Sequence, residues 1–277
     1  LLPSYAVRSW KAVLVLAVFS SILLEWAEYT GSVSRINYCL LVPVLAAVLA
    51  WSVIRDWSPL APSDVSGTQL GYCCLGFSGI LLTVGSLASI FTISIAGFPI
   101  AVLGLIGIFW GKEGIFRLRY ALLMFFAMVP VPLPLLDRLT PGMVRATGAA
   151  AVAMVSPFDP EATWIGADLT YRGWTLFVAE ACSGSGTLLV LGTLTLFMAG
   201  LFRMSTKAII ITLILVAPIT IFINGLRIAV MAWVLDGFGP AAVTGAGHEI
   251  VGQLVVIAGA ASLALVIDKV SSRRGPK

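Results

Sequence analysis

Between Val65 and Gly111 the chain carries no Asp, Glu, Lys or Arg. As one helix that stretch would extend about 70 Å, more than twice the roughly 30 Å of hydrocarbon in a bilayer. It must fold back on itself, and a break near Ser89–Ser94 divides it into two spans. A water-facing domain carries about 25% charged residues, whereas here 11% are charged and 59% are apolar. The chain is therefore an integral membrane protein. The same balance excludes disordered, collagen-like and nucleic-acid-binding chains.

At about 20 apolar residues per crossing, eight transmembrane helices are expected, at about 10–27, 36–54, 69–88, 91–110, 118–136, 181–202, 208–226 and 250–267. The whole of 1–277 reads as a single all-α polytopic membrane domain. The run Val-Pro-Val-Pro-Leu-Pro at Val129–Pro134 cannot continue a regular helix, so the fifth span ends or unwinds there. Gly142–Val155 is short, rich in Ala and Gly, and carries Arg145. It reads as an interfacial or re-entrant helix in a large outer loop over 137–180. With both termini cytoplasmic, 12 of the 17 Lys and Arg fall in cytoplasmic segments, in accord with the positive-inside rule. The first apolar run follows Arg8 and Lys11 and precedes no small-residue cleavage site, so it reads as a span and not as a cleavable signal.

Of four cysteines, Cys39, Cys73 and Cys74 sit in apolar helices and read as packing residues. No cysteine spacing fits a zinc pattern and there is one histidine, so neither a metal nor an organic cofactor is expected. Cys182 differs. It lies in Glu-Ala-Cys-Ser-Gly-Ser-Gly, where the outer loop enters the sixth span. A helix N-terminus lowers a thiol's pKa, and the N–H groups near Ser183 and Gly184 suit a developing oxyanion. Asn224 and Arg227, three apart in the seventh span, share a helix face, and an arginine at membrane depth faces a partner or a wet cavity. His248, the single histidine, opens the eighth span. Span direction alternates, so Cys182, Arg227 and His248 all reach the outer face, supplying a nucleophile, a cation and a base. Glu180 and Glu249 adjoin the first and last of these, as tautomer-fixing or substrate-binding candidates.

In the outer loop, Trp164–Val178 shows partial apolar alternation punctuated by Gly166 and Gly173, which predicts a short β-hairpin. Its Trp164, Tyr171 and Trp174 suit the headgroup level and are candidate substrate contacts. A free hairpin edge beside the cysteine either pairs with an extended peptide or serves as a lid without substrate contact.

Ala-Cys-Ser-Gly at Ala181–Gly184, Asn-x-x-Arg at Asn224–Arg227, and His248 at the start of the last span together resemble the exosortase/archaeosortase family. The likeness is best over Leu118–Ile267. It departs from many relatives in the Ser185-Gly186-Thr187 that follows the cysteine motif. The resemblance implies an eight-span cysteine transpeptidase of a prokaryotic inner (plasma) membrane, with Cys182 as nucleophile, Arg227 as stabilising cation and His248 as general acid/base. It implies as substrate an exported protein with a C-terminal sorting signal: a motif such as Pro-Glu-Pro, a hydrophobic helix and a basic tail. The acyl group would pass to an acceptor nucleophile at the membrane or surface. Two rivals remain from the residues alone. One is a transporter or polysaccharide-export scaffold, which the mid-membrane Pro and Gly would suit; the other is a rhomboid-like serine protease using Ser183 or Ser185.

Overall fold

The computed structural model describes residues 2–57, 65–178, 184–244 and 246–272. The chain forms two compact units, one of residues 1–131 with 196–202 and one of residues 132–195 with 203–277.

The first unit contains α1 (Leu2–Ser32), a 3-10 turn (Asn37–Leu41) running into α2 (Val42–Ile54), α3 (Val65–Leu87), α4 (Phe91–Arg117) and α5 (Arg119–Phe126). The charge-free stretch turns at Ala88–Ile90. Ile90 N–H donates to Gly85 O at 2.8 Å, with Ser89 at φ +55° between them, a Schellman-type closure with serine at the left-handed position. Helices α3 and α4 then pack along a seam of small residues. A Cβ on Gly71 would stand 2.6 Å from Gly104 O, and one on Gly107 3.1 Å from Gly67 O. With no solvent to drive apolar helices together in lipid, such backbone approach supplies the packing. Gly111, at φ +64° and ψ −159°, breaks α4 one residue beyond the expected end of the fourth span. Trp26 Nε1 donates to Met128 O at 2.9 Å, tying α1 to the end of α5. Cys39 is buried, Cys73 exposed and Cys74 half-buried.

The second unit contains α6 (Leu133–Val155), strands β1 (Thr163–Ile165), β2 (Asp168–Tyr171) and β3 (Trp174–Phe177), the start of α7 (Ser185–Leu201), α8 (Thr206–Phe238), a 3-10 turn (Pro240–Val243) and α9 (Ala246–Ser272). Ser205 caps α8, its Oγ accepting from Ala208 N–H at 3.3 Å. At 33 residues, α8 is about 50 Å long and is the spine against which α6, α9 and β3 pack.

The described helices bear on three expectations. Six helices among the described residues are long and apolar enough to cross a bilayer, within Trp10–Ser32, Asn37–Ile54, Val65–Leu87, Phe91–Arg117, Thr206–Phe238 and Ile250–Lys269, against the eight expected. The expected fifth span, 118–136, does not form one helix. Pro130 and Pro132 offer no backbone N–H, so α5 stops at Phe126 after 8 residues, and the chain restarts as α6 with a proline in its first turn. Helix α6 absorbs both the end of that expected span and the Gly142–Val155 helix, which is thus its C-terminal half. The expected sixth span, 181–202, appears as the 17-residue α7, about 26 Å long; its first residues, 181–183, lie outside the described set.

The expected hairpin is part of a three-stranded antiparallel meander in the order β1-β2-β3. The extra strand is β1, three residues long. Leu169, Tyr171 and Val178 pack on Ala151 and Val155 of α6 and on Ile228, Ala229 and Ala232 of α8.

Candidate active site

Helix α8 contributes the polar pair. Asn224 is fully buried (0% exposed), one turn after the equally buried Thr220 on the same face of α8. Thr220 Oγ1 donates to Val216 O at 2.8 Å, and Asn224 Nδ2 to Thr220 O at 2.9 Å. Both groups satisfy themselves on their own helix, which suits a low-dielectric setting. The exception is Asn224 Oδ1, buried with no hydrogen-bond partner among the described residues. Such an acceptor costs about 1–3 kcal/mol when left unsatisfied. Arg227, one turn later, is half-buried.

Two glycines from neighbouring helices meet this turn. Gly184, at φ +89°, leads into α7, and a Cβ there would stand 3.0 Å from Asn224 Nδ2 and 3.4 Å from the Thr220 methyl. Glycine is required twice over at this position, by its dihedral and by its contact. Gly184 O then accepts from Leu188 N–H at 2.8 Å to close the first turn of α7. On α9, a Cβ at Gly252 would stand 3.0 Å from Arg227 Nη2 and 3.4 Å from its Cζ. His248 lies four residues before Gly252 in the sequence of α9. Deeper along the same helices, a Cβ on Gly259 would stand 3.1 Å from Leu191 of α7 and 3.5 Å from Ile223 of α8. The beginning of α7, the middle of α8 and the beginning of α9 are thereby held side by side.

Of the expected site residues, the structure brings together Gly184, Asn224 and Arg227, with Gly252 of α9 against the Arg227 guanidinium. Glu180, Cys182 and Ser183 lie outside the described residues; so do the side chains of His248 and Glu249, whose backbone is in α9. The outer-loop aromatics divide. Tyr171 is 3% exposed in the core under the sheet, which removes it from the surface set. Trp164 rests its indole on α6 at Gly148, where any Cβ would overlap the ring. Trp174 stays exposed.

The sequence gives little sign of two further features. Gly252 seats the guanidinium and looks like any membrane-helix glycine; its spacing of four from His248 is its single signal. The other is a clamp on the β2–β3 turn, where Arg172 and Gly173 have φ +46° and +78°. Asp159 Oδ2 accepts from Arg172 N–H at 2.6 Å, and Arg172 Nη1 donates to Asp236 Oδ2 at 2.9 Å. The hydrogen bond to Asp236, chiefly, pushes the Arg172 guanidinium above its ordinary pKa. It fastens the turn to the end of α8.

Comparison with known proteins gives one positive finding. The family described as transmembrane exosortase matches residues 26–266. No curated protein and no solved structure matches the chain.

Proposed function

The chain belongs to the transmembrane exosortase family, and from that membership we propose that it is a membrane cysteine transpeptidase acting on the C-terminal sorting signals of exported proteins. The observation that carries this is the convergence on one turn of α8. Gly184, two residues after Cys182, packs on Asn224, and Gly252, one turn after His248, packs on Arg227.

In this mechanism His248 takes the Cys182 proton and the thiolate attacks the carbonyl carbon of the scissile peptide. Arg227 and the N–H groups after Cys182 hold the resulting oxyanion, one such donor being worth about 3–4 kcal/mol of barrier. The intermediate collapses with cleavage of the C–N bond. His248 returns the proton to the leaving amine, and the exported part remains as a thioester on Cys182. An acceptor nucleophile, or water, then attacks the thioester and restores the thiol. Family membership suggests a prokaryotic inner membrane, and charge bias supports both termini being cytoplasmic with the site on the outer face.

Thiol reactivity tests the reading. Cys39, Cys73 and Cys74 are replaced, and a membrane-impermeant alkylating reagent is applied to oriented vesicles across a pH series. Fast labelling of Cys182 from the outer face at neutral pH, well below the usual thiol range near 8.5, is expected, slowed by His248→Ala and Arg227→Ala. Slow labelling indifferent to both substitutions makes Cys182 a packing residue and favours a transporter or scaffold.

A further inference from the structure

Strand β3 is an edge strand whose last residue, Phe177, precedes Cys182 by five positions. Its pairing with β2 runs Tyr171↔Trp174, Thr170↔Thr175, Leu169↔Leu176 and Asp168↔Phe177. The two-residue turn makes Tyr171↔Trp174 a hydrogen-bonded pair, so Leu169↔Leu176 is the next. Val178 N–H, donating to Ala167 O at 2.9 Å, continues the alternation. The N–H and C=O groups of Thr175 and Phe177 therefore point away from the sheet, and among the described residues no backbone group pairs with them.

Natural edges are blunted by charge, proline, a bulge or a covering element. β3 reads Trp-Thr-Leu-Phe in unbroken register, without charge or proline, and Phe177 is 70% exposed. Its inner side is fixed. Leu176 packs against the cluster of Met231 and Leu235 of α8 and Val243 of the 3-10 turn, while Arg172 anchors the turn to Asp236. A rigid, uncharged edge with outward amide and carbonyl groups is complementary to an extended polypeptide backbone.

We propose that β3 is the recognition strand for the sorting motif. Extended residues of the exported polypeptide, on the N-terminal side of its scissile bond, add beside β3 and exchange hydrogen bonds with Thr175 and Phe177. The inference rests on the functional reading above. In the chain, β3 precedes Cys182 and then the apolar α7. A substrate whose exported part precedes its hydrophobic helix runs in the same sense, so the added strand is parallel to β3. Main-chain bonds supply affinity, and alternate substrate side chains lie against the Phe177 face and supply selectivity.

The test uses the full chain in proteoliposomes with a reporter made of a soluble exported domain, a Pro-Glu-Pro motif, a hydrophobic helix and a basic tail. Thr175→Pro and Phe177→Pro remove outward N–H groups and leave the β2 ladder intact. Each is expected to slow processing about tenfold or more, the loss that follows from one missing backbone hydrogen bond and a blocked edge. Ile165→Ser, on the far strand, leaves the rate unchanged. A second measurement is independent of turnover and of proline tolerance: benzoylphenylalanine at position 177 in Cys182→Ala, photolysed with the intact reporter. Crosslinks to residues just N-terminal of the cleavage point are expected. Wild-type rates in both proline variants, or crosslinks confined to the hydrophobic helix, overturn strand pairing alone. A reporter left intact by the wild-type chain overturns the functional reading itself, and the inference with it.

Discussion

Replacing Gly184 by alanine separates two strains that meet at one atom. The first is conformational: at φ +89° an L-residue pays about 1–2 kcal/mol relative to glycine. The second is steric, because the new Cβ stands 3.0 Å from Asn224 Nδ2 and 3.3 Å from its Cγ. That amide has little room to yield, being fully buried and bonded to Thr220 O, and moving it adds about 1 kcal/mol. Together they reach about 2–3 kcal/mol. If the chain relieves them by shifting the segment that carries Cys182, the barrier rises by that amount and reporter processing falls about 30- to 150-fold. Asn224→Ala removes the steric half and leaves the dihedral. Gly184→Ala made in the Asn224→Ala background is then expected to cost only about 1–2 kcal/mol, a coupling near 1 kcal/mol between the two sites. Processing rates of the four proteins, with detergent melting curves to separate fold from turnover, measure it. Strict additivity, or wild-type rate and stability in Gly184→Ala, refutes the contact between Gly184 and Asn224.

Gly252→Ala presses on the far end of the flexible Arg227 side chain, 3.0 Å away at Nη2. Processing is expected to fall about tenfold, with the melting temperature scarcely moved. Gly148→Val drives Trp164 off α6 and is expected to cost about 2 kcal/mol of stability, seen as a lower melting temperature and faster proteolysis of the outer loop. Arg172→Ala releases the turn from Asp236. With the two side chains 50% and 28% exposed, solvent screens the pair, so the expected change is local cleavage at the turn without global unfolding. Ser89→Gly relieves a left-handed serine at φ +55° and is expected to raise the melting temperature, by the equivalent of about 1 kcal/mol.

Hydropathy made the long apolar helices legible, because a charge-free run leaves no alternative to lipid. It failed between Leu118 and Val155. A hydropathy sum counts the prolines at 130 and 132 as ordinary residues, while the backbone loses its hydrogen bonds there and divides α5 from α6. The third strand was hidden for another reason. β1 is three residues long, too short to display alternation, and its Trp164 is held by the glycine notch in α6, a contact that no local pattern encodes. At the candidate site, Asn224 and Arg227 stand out as polar groups in an apolar helix. Gly184 and Gly252 do not, since small residues are common in membrane helices and only the tertiary contact singles these two out.

The glycine seam between α3 and α4 also bears on biogenesis. Neither helix has a charge of its own between Val65 and Gly111, so neither carries a signal that fixes its direction of insertion. Orientation is inherited from Arg55 before the pair and from Lys112 and Arg117 in the last turns of α4, beyond the break at Gly111. Two strands of lipid-soluble chain joined by a three-residue turn, with backbones that already fit, leave the translocon as one hairpin. A charge introduced at that turn would compete with the flanks for control of topology, and the seam is what keeps the pair together while the flanks decide.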